Sequence, residues 1–218
     1  PTNAVPDLHI HPTNATVIEG NGADVGVTND FDGQTRASFT PVDIGADAGN
    51  FNGVDLAPPN ITYTAFVNTS LTTNRILSVT ITDVTGVATA GLAPRIYYKK
   101  NAGAYFSQAC SLSSGTVQNG VWDCTINNAD VGGVVATDVI SYFVVAQDTV
   151  GNLGANPSGG FTGTNVNVVL TPPTTPNQYT IVAAFTGSIN VGTAETFTSL
   201  TNTGGIFEAI NAGALTGD

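Results

Sequence analysis

From residue 57 onward, hydrophobic and polar positions fall into short runs of the kind that strands make. The longest is Asp138-Val-Ile-Ser-Tyr-Phe-Val-Val-Ala-Gln-Asp148, rich in β-branched and aromatic residues and halted by the turn residues Thr149-Val-Gly-Asn152. Its alternation is imperfect, as in a strand buried at the centre of a sandwich. Around it the pattern predicts strands near 61–67, 75–83, 95–100, 104–107, 121–126 and 166–170, with turns at 72–74, 84–91, 101–103, 127–133 and 151–160. About seven short strands in roughly 110 residues predict an immunoglobulin-like β-sandwich. Ile76, Val79, Ile81, Ile96, Tyr98, Trp122, Tyr142 and Val144 are the expected inward side chains.

The flanks read differently. Residues 1–56 have little periodicity: Asp7-Leu-His-Ile10 and Val17-Ile-Glu-Gly20 are short strand signals, broken by turns at Asn21-Gly22, Asn29-Asp30 and Asp32-Gly33. Such a segment is too short and too interrupted to hold a core alone, so adjoining protein is expected to cover it. Ala57-Pro-Pro-Asn60 marks a first boundary. Thr171-Pro-Pro-Thr-Thr-Pro176 marks a second, and its prolines predict a stiff extended spacer. Beyond it Tyr179, Ile181 and Phe185 suggest a strand, and Ile189-Asn-Val191 with Phe197 a second. Gly204-Gly-Ile-Phe-Glu-Ala-Ile-Asn211 reads as a short amphipathic helix that Gly213 ends. The expected segments are therefore 1–56, 57–171 and 172–218. The start at Pro1, without Met, is read as a mature or excised piece of something longer.

Composition narrows the function classes. Hydrophobic residues make up 41% of the chain, enough for a core, while charged residues make up only 10%, against about a quarter in an ordinary domain. The five basic residues, Arg36, Arg75, Arg95, Lys99 and Lys100, leave a net charge of −11. Nucleic acid and anionic membrane surfaces both require clustered Lys and Arg, so neither is an expected partner. No apolar run is long enough to span a membrane.

The two cysteines, Cys110 and Cys124, flank a turn signal at Gln118-Asn-Gly120. A bridge across that hairpin is expected, against the alternative of two buried thiols. Such a bridge is worth about 3 kcal/mol for a loop near 15 residues and implies an oxidising, extracellular compartment.

A resemblance adds to this reading. Asp7-Leu-His-Ile10, Gly20, Asp30-Phe-Asp-Gly33, Arg36 and above all Asp43-Ile-Gly-Ala-Asp47 stand in the order found where right-handed parallel β-helix domains end in large secreted bacterial surface proteins. Ser78-Val-Thr-Ile-Thr-Asp83, Arg95-Ile-Tyr-Tyr-Lys99 and Tyr142-Phe-Val-Val-Ala-Gln-Asp148 are similar to the immunoglobulin-like or fibronectin-like repeats of the same proteins. The stretch 192–211 resembles the opening of a β-helix repeat, where a short helix plugs the first coil. The chain thus resembles adhesin repeats of the type IX-secreted kind. The implied fold is all-β: an immunoglobulin-like sandwich flanked by partial β-helix segments.

Candidate sites are few. Asp30 and Asp32 before Gly33 have the first part of a calcium-loop spacing, but Pro41 stands where the closing Glu belongs; a turn braced by Asx bonds is the competing reading, with Arg36 a partner for one carboxylate. His9 and His11 share a strand face without a third metal ligand. Asp83, Asp123, Asp130, Asp138 and Asp148 fall at predicted strand ends, where acids cap turns or join to hold calcium. Trp122, Tyr97, Tyr98, Tyr105 and Phe106 offer either core or sugar-stacking faces. Asn14, Asn60 and Asn68 head N-glycosylation patterns, and Thr149 resembles the O-glycan acceptor of related secreted bacteria. The glutamates Glu19, Glu195 and Glu208 form no recognisable acid pair, and no nucleophile elbow or phosphate loop occurs. No catalytic residue and no obligatory cofactor are expected.

The resulting expectation is a non-catalytic structural repeat of a cell-surface adhesin or filament, whose partners are neighbouring copies or adjoining domains and, secondarily, surface glycans. A filament subunit that polymerises by lending a strand, and an accessory module of a secreted polysaccharide-degrading enzyme, are the alternatives.

Overall fold

Strand-forming residues dominate the chain, and the computed structural model is accordingly almost all β, with several antiparallel sheets, none closed into a barrel among the described residues, and one short α-helix among them. It describes residues 9–39, 41–184 and 190–211. Two units are distinct, Pro1–Leu56 and Ala57–Asp218.

Among the described residues of the first unit, regular structure is limited to β1 (Ala15–Thr16), paired in parallel with β2 (Asn52–Gly53), and a single 3-10 turn at Arg36–Ser38. The rest is loop. Residues 7 and 8 of the first strand signal lie outside the described residues, as do Phe185, Ile189 and Gly213 of the C-terminal signals.

The second unit is the sandwich. Its strands are β3 (Asn60–Thr62), β4 (Arg75–Thr82), β5 (Arg95–Lys100), β6 (Phe106–Ala109), β7 (Ser111–Gly115), β8 (Asn119–Ile126), β9 (Val139–Gln147), β10 (Leu153–Asn156), β11 (Thr162–Asn165), β12 (Val168–Thr171) and β13 (Asn177–Thr180). One sheet runs β3-β4-β8-β7. The other runs β6-β5-β9, and β10 and β13 share the remaining edge of β9. β10 pairs with residues 144–147 and β13 with residues 139–142.

Between the sheets lies the core: Leu77, Val79 and Ile81 of β4, Trp122, Cys124 and Ile126 of β8, and Ile96, Tyr98, Ile140, Tyr142, Val144, Tyr179 and Ile181 from the opposite side. Alternation along β4 puts 77, 79 and 81 inward, so Ile76 faces out, 62% exposed, contrary to the expectation from its neighbours. A second, smaller cluster covers the other face of the β9 sheet. The β11–β12 hairpin lays Val166, Val169 and Phe161 over Tyr97, Phe143 and Val145. Phe143 is stacked on Tyr97 at 5.2 Å. Every residue of β9 after Val139 is therefore buried, which explains its imperfect alternation.

β6 and β7 are successive in the chain yet belong to opposite sheets. Cys110 sits at the crossing, and Ser111 opposite Asp123 brings it beside Cys124, to which it is bonded, with Cα atoms 4.3 Å apart. The Pro-rich run 172–176 is not a spacer between domains. Pro173 is buried, Thr174 N–H donates to Gly159 O (2.8 Å), and the chain returns to the sandwich as β13.

Reducing Cys110–Cys124 is expected to lower the unfolding free energy of the sandwich by about 3 kcal/mol without altering its far-ultraviolet circular dichroism. Urea titration with and without reductant measures this, and an unchanged midpoint contradicts it.

Candidate functional site

Where hydrophobic burial is thin, the first unit is organised by buried acids. Asp43, 3% exposed, accepts Gly20 N–H at Oδ1 (2.9 Å) and Gly49 N–H at Oδ2 (3.0 Å). Asp47, also buried, accepts Ile10 N–H (2.8 Å), and Glu19 accepts Phe51 N–H (2.7 Å). Arg36 does not pair with Asp30 or Asp32 by any salt bridge among the described residues; its guanidinium donates to the carbonyls of Gly45 (3.0 Å) and Asp43 (2.8 Å). A Cβ at Gly22 would stand 2.2 Å from Asp43 O, so only glycine lets these two loops meet. The motif Asp43-Ile-Gly-Ala-Asp47 thus works as a hub of charge-assisted hydrogen bonds to main chain.

Beside the hub, Asp30, Asp32 and Asp47 each bring a carboxylate oxygen within 4.8 Å of the others. Asp30 Oδ1 accepts Gln34 N–H (2.6 Å), while its Oδ2 is out of solvent and has no hydrogen-bond donor. His9 Nε2 lies 3.0 Å from Asp32 Oδ2 and its ring is tilted on Phe31. Three oxygens of this kind can hold a hard cation such as calcium, and Asp47 is the member that sequence spacing did not offer. His11 is not among them; its Nδ1 meets the Thr13 hydroxyl at 3.2 Å. A cleft of about 700 Å³ adjoins, lined by Val25, Val27, Phe31, Val42, Ile44 and Arg36.

In the sandwich the acids act as caps. Asp148 Oδ1 accepts the N–H groups of Val150, Gly151 and Asn152, closing the turn after β9. Asp83 Oδ1 accepts Thr85 Oγ1–H and Gly86 N–H, and an oxygen of Asp83 lies within 4.8 Å of one of Asp148. Asp123 is no strand-end acid: it lies inside β8, half-buried. Asp130 accepts Tyr98 O–H, Gln108 Nε2 and Asn127 Nδ2. Asp138 accepts Val135 N–H and Asn101 Nδ2 and stands 3.8 Å from Lys100 Nζ. The Tyr98 hydroxyl, then Gln108, hold Asp130 below the usual carboxylate range. The Val135 N–H, then Asn101, do the same for Asp138. Burial, reinforced by Asp130, pushes Tyr98 up to about 12.

Of the aromatic group, Trp122 (2% exposed), Tyr98 and Tyr97 are core, Tyr105 packs on Phe143, and Phe106 is exposed. No stacking platform forms around Trp122. Thr149 is exposed, with its hydroxyl on Thr85 O (3.1 Å). Asn14 and Asn60 are exposed, and Asn68 Oδ1 accepts Thr180 N–H. Glu208 caps its own helix, α1 (Ile206–Asn211), at Gly204 N–H.

No protein-family model matches the chain, and no curated protein matches it.

Asp43→Ala is expected to cost the first unit about 2–4 kcal/mol, because two buried N–H groups lose a charged acceptor. Hydrogen exchange reports this directly: Gly20 and Gly49 amides lose protection while the β9 amides keep theirs. Acid acts on the sandwich through Asp130 and Asp138. Their folded pKa values lie below the unfolded value of about 3.9, so their contribution is complete above that pH and is lost as pH falls through the folded values. The double variant Asp130→Asn/Asp138→Asn is expected to flatten the loss of unfolding free energy between pH 5 and pH 2, in urea titrations, and an unaltered slope refutes the assignment.

Proposed function

We propose that this chain is a non-catalytic structural repeat of an extracellular surface adhesin or filament protein. The observation that carries the reading is where the sandwich takes in and releases its chain. On the N-terminal side, Pro59 O lies against Gly154, whose partner in β9 is Ala146. On the C-terminal side, Ile181 N–H donates to Asp138 O (2.8 Å), just before β9 begins. The two positions are eight residues apart along one strand, about 26 Å. A module that passes its chain from one pole to the other extends a tandem array, whereas one with adjacent ends doubles it back.

Further support comes from the disulfide, which suits an oxidising exterior, and from the sandwich carboxylates, which serve as caps rather than as a reactive pair. Val17, Val25, Val27, Phe31 and Ile44 of the first unit are exposed, an apolar surface that adjoining coils of a longer polypeptide would cover. Attachment by such an array rests on many weak contacts acting together. Lending of a strand by residues 172–218 has less support, because Asn177–Thr180 completes the sheet of its own chain.

The test is an immunoblot of source cells after proteolytic shaving of their surface. A polypeptide several times larger than 22.2 kDa, removed by the protease, is the expected result. A protected band of about the size of this chain alone rejects the proposal.

A further inference from the structure

Beyond that reading, we infer that the sandwich is a mechanical clamp: Asn68–Thr69 and residues 180–182 run side by side in parallel, joined by one β-bridge and its flanking hydrogen bonds, and tension applied through the chain ends loads that junction in shear. Thr69 bridges Ile181 in parallel. Thr69 N–H donates to Thr180 O (3.1 Å), Val182 N–H donates to Thr69 O (2.9 Å), and Thr180 N–H donates to Asn68 Oδ1 (2.8 Å). The extended segment that follows β3 is thus sewn to the end of β13 and the two residues beyond it.

The direction of pull follows from the chain path. Force on the N-terminal side draws residues 66–70 backward along their own axis. Force on the C-terminal side draws residues 180–182 forward. Because the two segments are parallel, these pulls slide one past the other, and all three hydrogen bonds bear the load together. In an antiparallel pair of terminal strands the two ends would emerge side by side, and the same bonds would open one at a time. The far edge of the C-terminal segment is anchored too: β13 pairs with residues 139–142, and Thr137 N–H donates to Ile181 O (2.7 Å).

Side chains close the clamp. Phe66 packs on Tyr142 (5.4 Å) and Tyr179 (5.5 Å), its N–H donates to the Tyr142 hydroxyl (2.7 Å), and Arg75 lies over the rings of Phe66 (3.9 Å) and Tyr179 (4.6 Å) while donating to Val67 O (3.0 Å). Sliding must break these contacts with the hydrogen bonds. Upstream, Asn156 Nδ2 donates to Ile61 O (2.6 Å), Asn177 Nδ2 donates to the Tyr63 hydroxyl (2.9 Å), and so β3 cannot simply peel away before the clamp is loaded. The disulfide adds a second limit, since it withholds the loop between Cys110 and Cys124 from extension after the clamp fails.

Single-molecule pulling of the full chain separates shear from peeling. With handles at the two termini, the sandwich is expected to rupture at a force at least twice that found with handles at Ala102 and the C-terminus. Ala102 lies beside the pole where the chain leaves, since Asn101 N–H donates to Val139 O, so that geometry peels β13 residue by residue. Forced rupture reports the unfolding barrier rather than the equilibrium stability. Asn68→Ala and Thr69→Pro should each lower the terminal rupture force, while Val145→Ala, on the outer face of β9 beneath the β11–β12 hairpin, should lower equilibrium stability and leave that force within a fifth of its original value. Reductant should lengthen the released chain by about 45 Å, for a sequence separation of 14 less the 4.3 Å already spanned. Equal forces in the two pulling geometries, or equal losses from Asn68→Ala and Val145→Ala at matched stability, overturn the clamp. Those outcomes leave the tandem-repeat proposal standing, whereas a short polypeptide in the surface-shaving assay rejects that proposal and leaves the clamp intact.

Discussion

Burial of β9 on both faces and along both edges is the constraint on which the sandwich depends. A strand placed in that way offers no surface to water, so every backbone group must pair and every side chain must pack. Its inner face is met by the β3-β4-β8-β7 sheet. The outer face, with Phe143 and Val145, needs a separate cover, which the β11–β12 hairpin provides. One edge takes β5, and the other is too long for a single short strand and is shared by β10 and β13. The polar groups at its C-terminal end are satisfied locally: Gln147 Oε1 accepts Val166 N–H, and Asp148 receives three turn amides. Thus the late part of the chain, residues 153–180, is committed to finishing a surface that the middle begins.

Sharing that edge has a mechanical consequence. Because β13 lies on the N-terminal half of β9, its free side faces the segment that follows β3, and Thr69 meets Ile181 just beyond it. The same arrangement sends the chain in at one pole and out at the other. The proposed clamp and the proposed tandem extension therefore rest on one topological choice.

The first unit rests on a different balance. Little apolar surface is buried there, and its loops are held by Asp43, Asp47, Glu19 and Arg36 through hydrogen bonds to main chain. Networks of this kind fix a shape but contribute modest net stability, since each bond replaces one to water. Among the described residues of this unit Ala48 is the one buried hydrophobic side chain, while Val17, Val25, Val27, Phe31 and Ile44 are exposed.

What the sequence by itself determined was the all-β class, the strands with strong β-branched and aromatic content, the disulfide pair and the boundary near Ala57. Those features follow from local side-chain chemistry and period. β7, β10 and β11, with sequences Ser-Leu-Ser-Ser-Gly, Leu-Gly-Ala-Asn and Thr-Gly-Thr-Asn, carry almost no such signal, because edge and cover strands are selected by main-chain pairing and not by burial of their own side chains. The motif 43–47 was visible, but its role as an acceptor for Gly20, Gly49 and Ile10 was not, nor was the meeting of Asp47 with Asp30 and Asp32. Ile76 read as core because alternation leaves the phase open until a partner strand sets it. Proline density made residues 172–176 look like a spacer, and only pairing of Asn177–Thr180 with β9 turned them into an internal connection. Contacts between residues more than a hundred positions apart, such as Asn68 with Thr180, belong to the tertiary structure alone, since nothing local in the chain distinguishes one polar strand end from another.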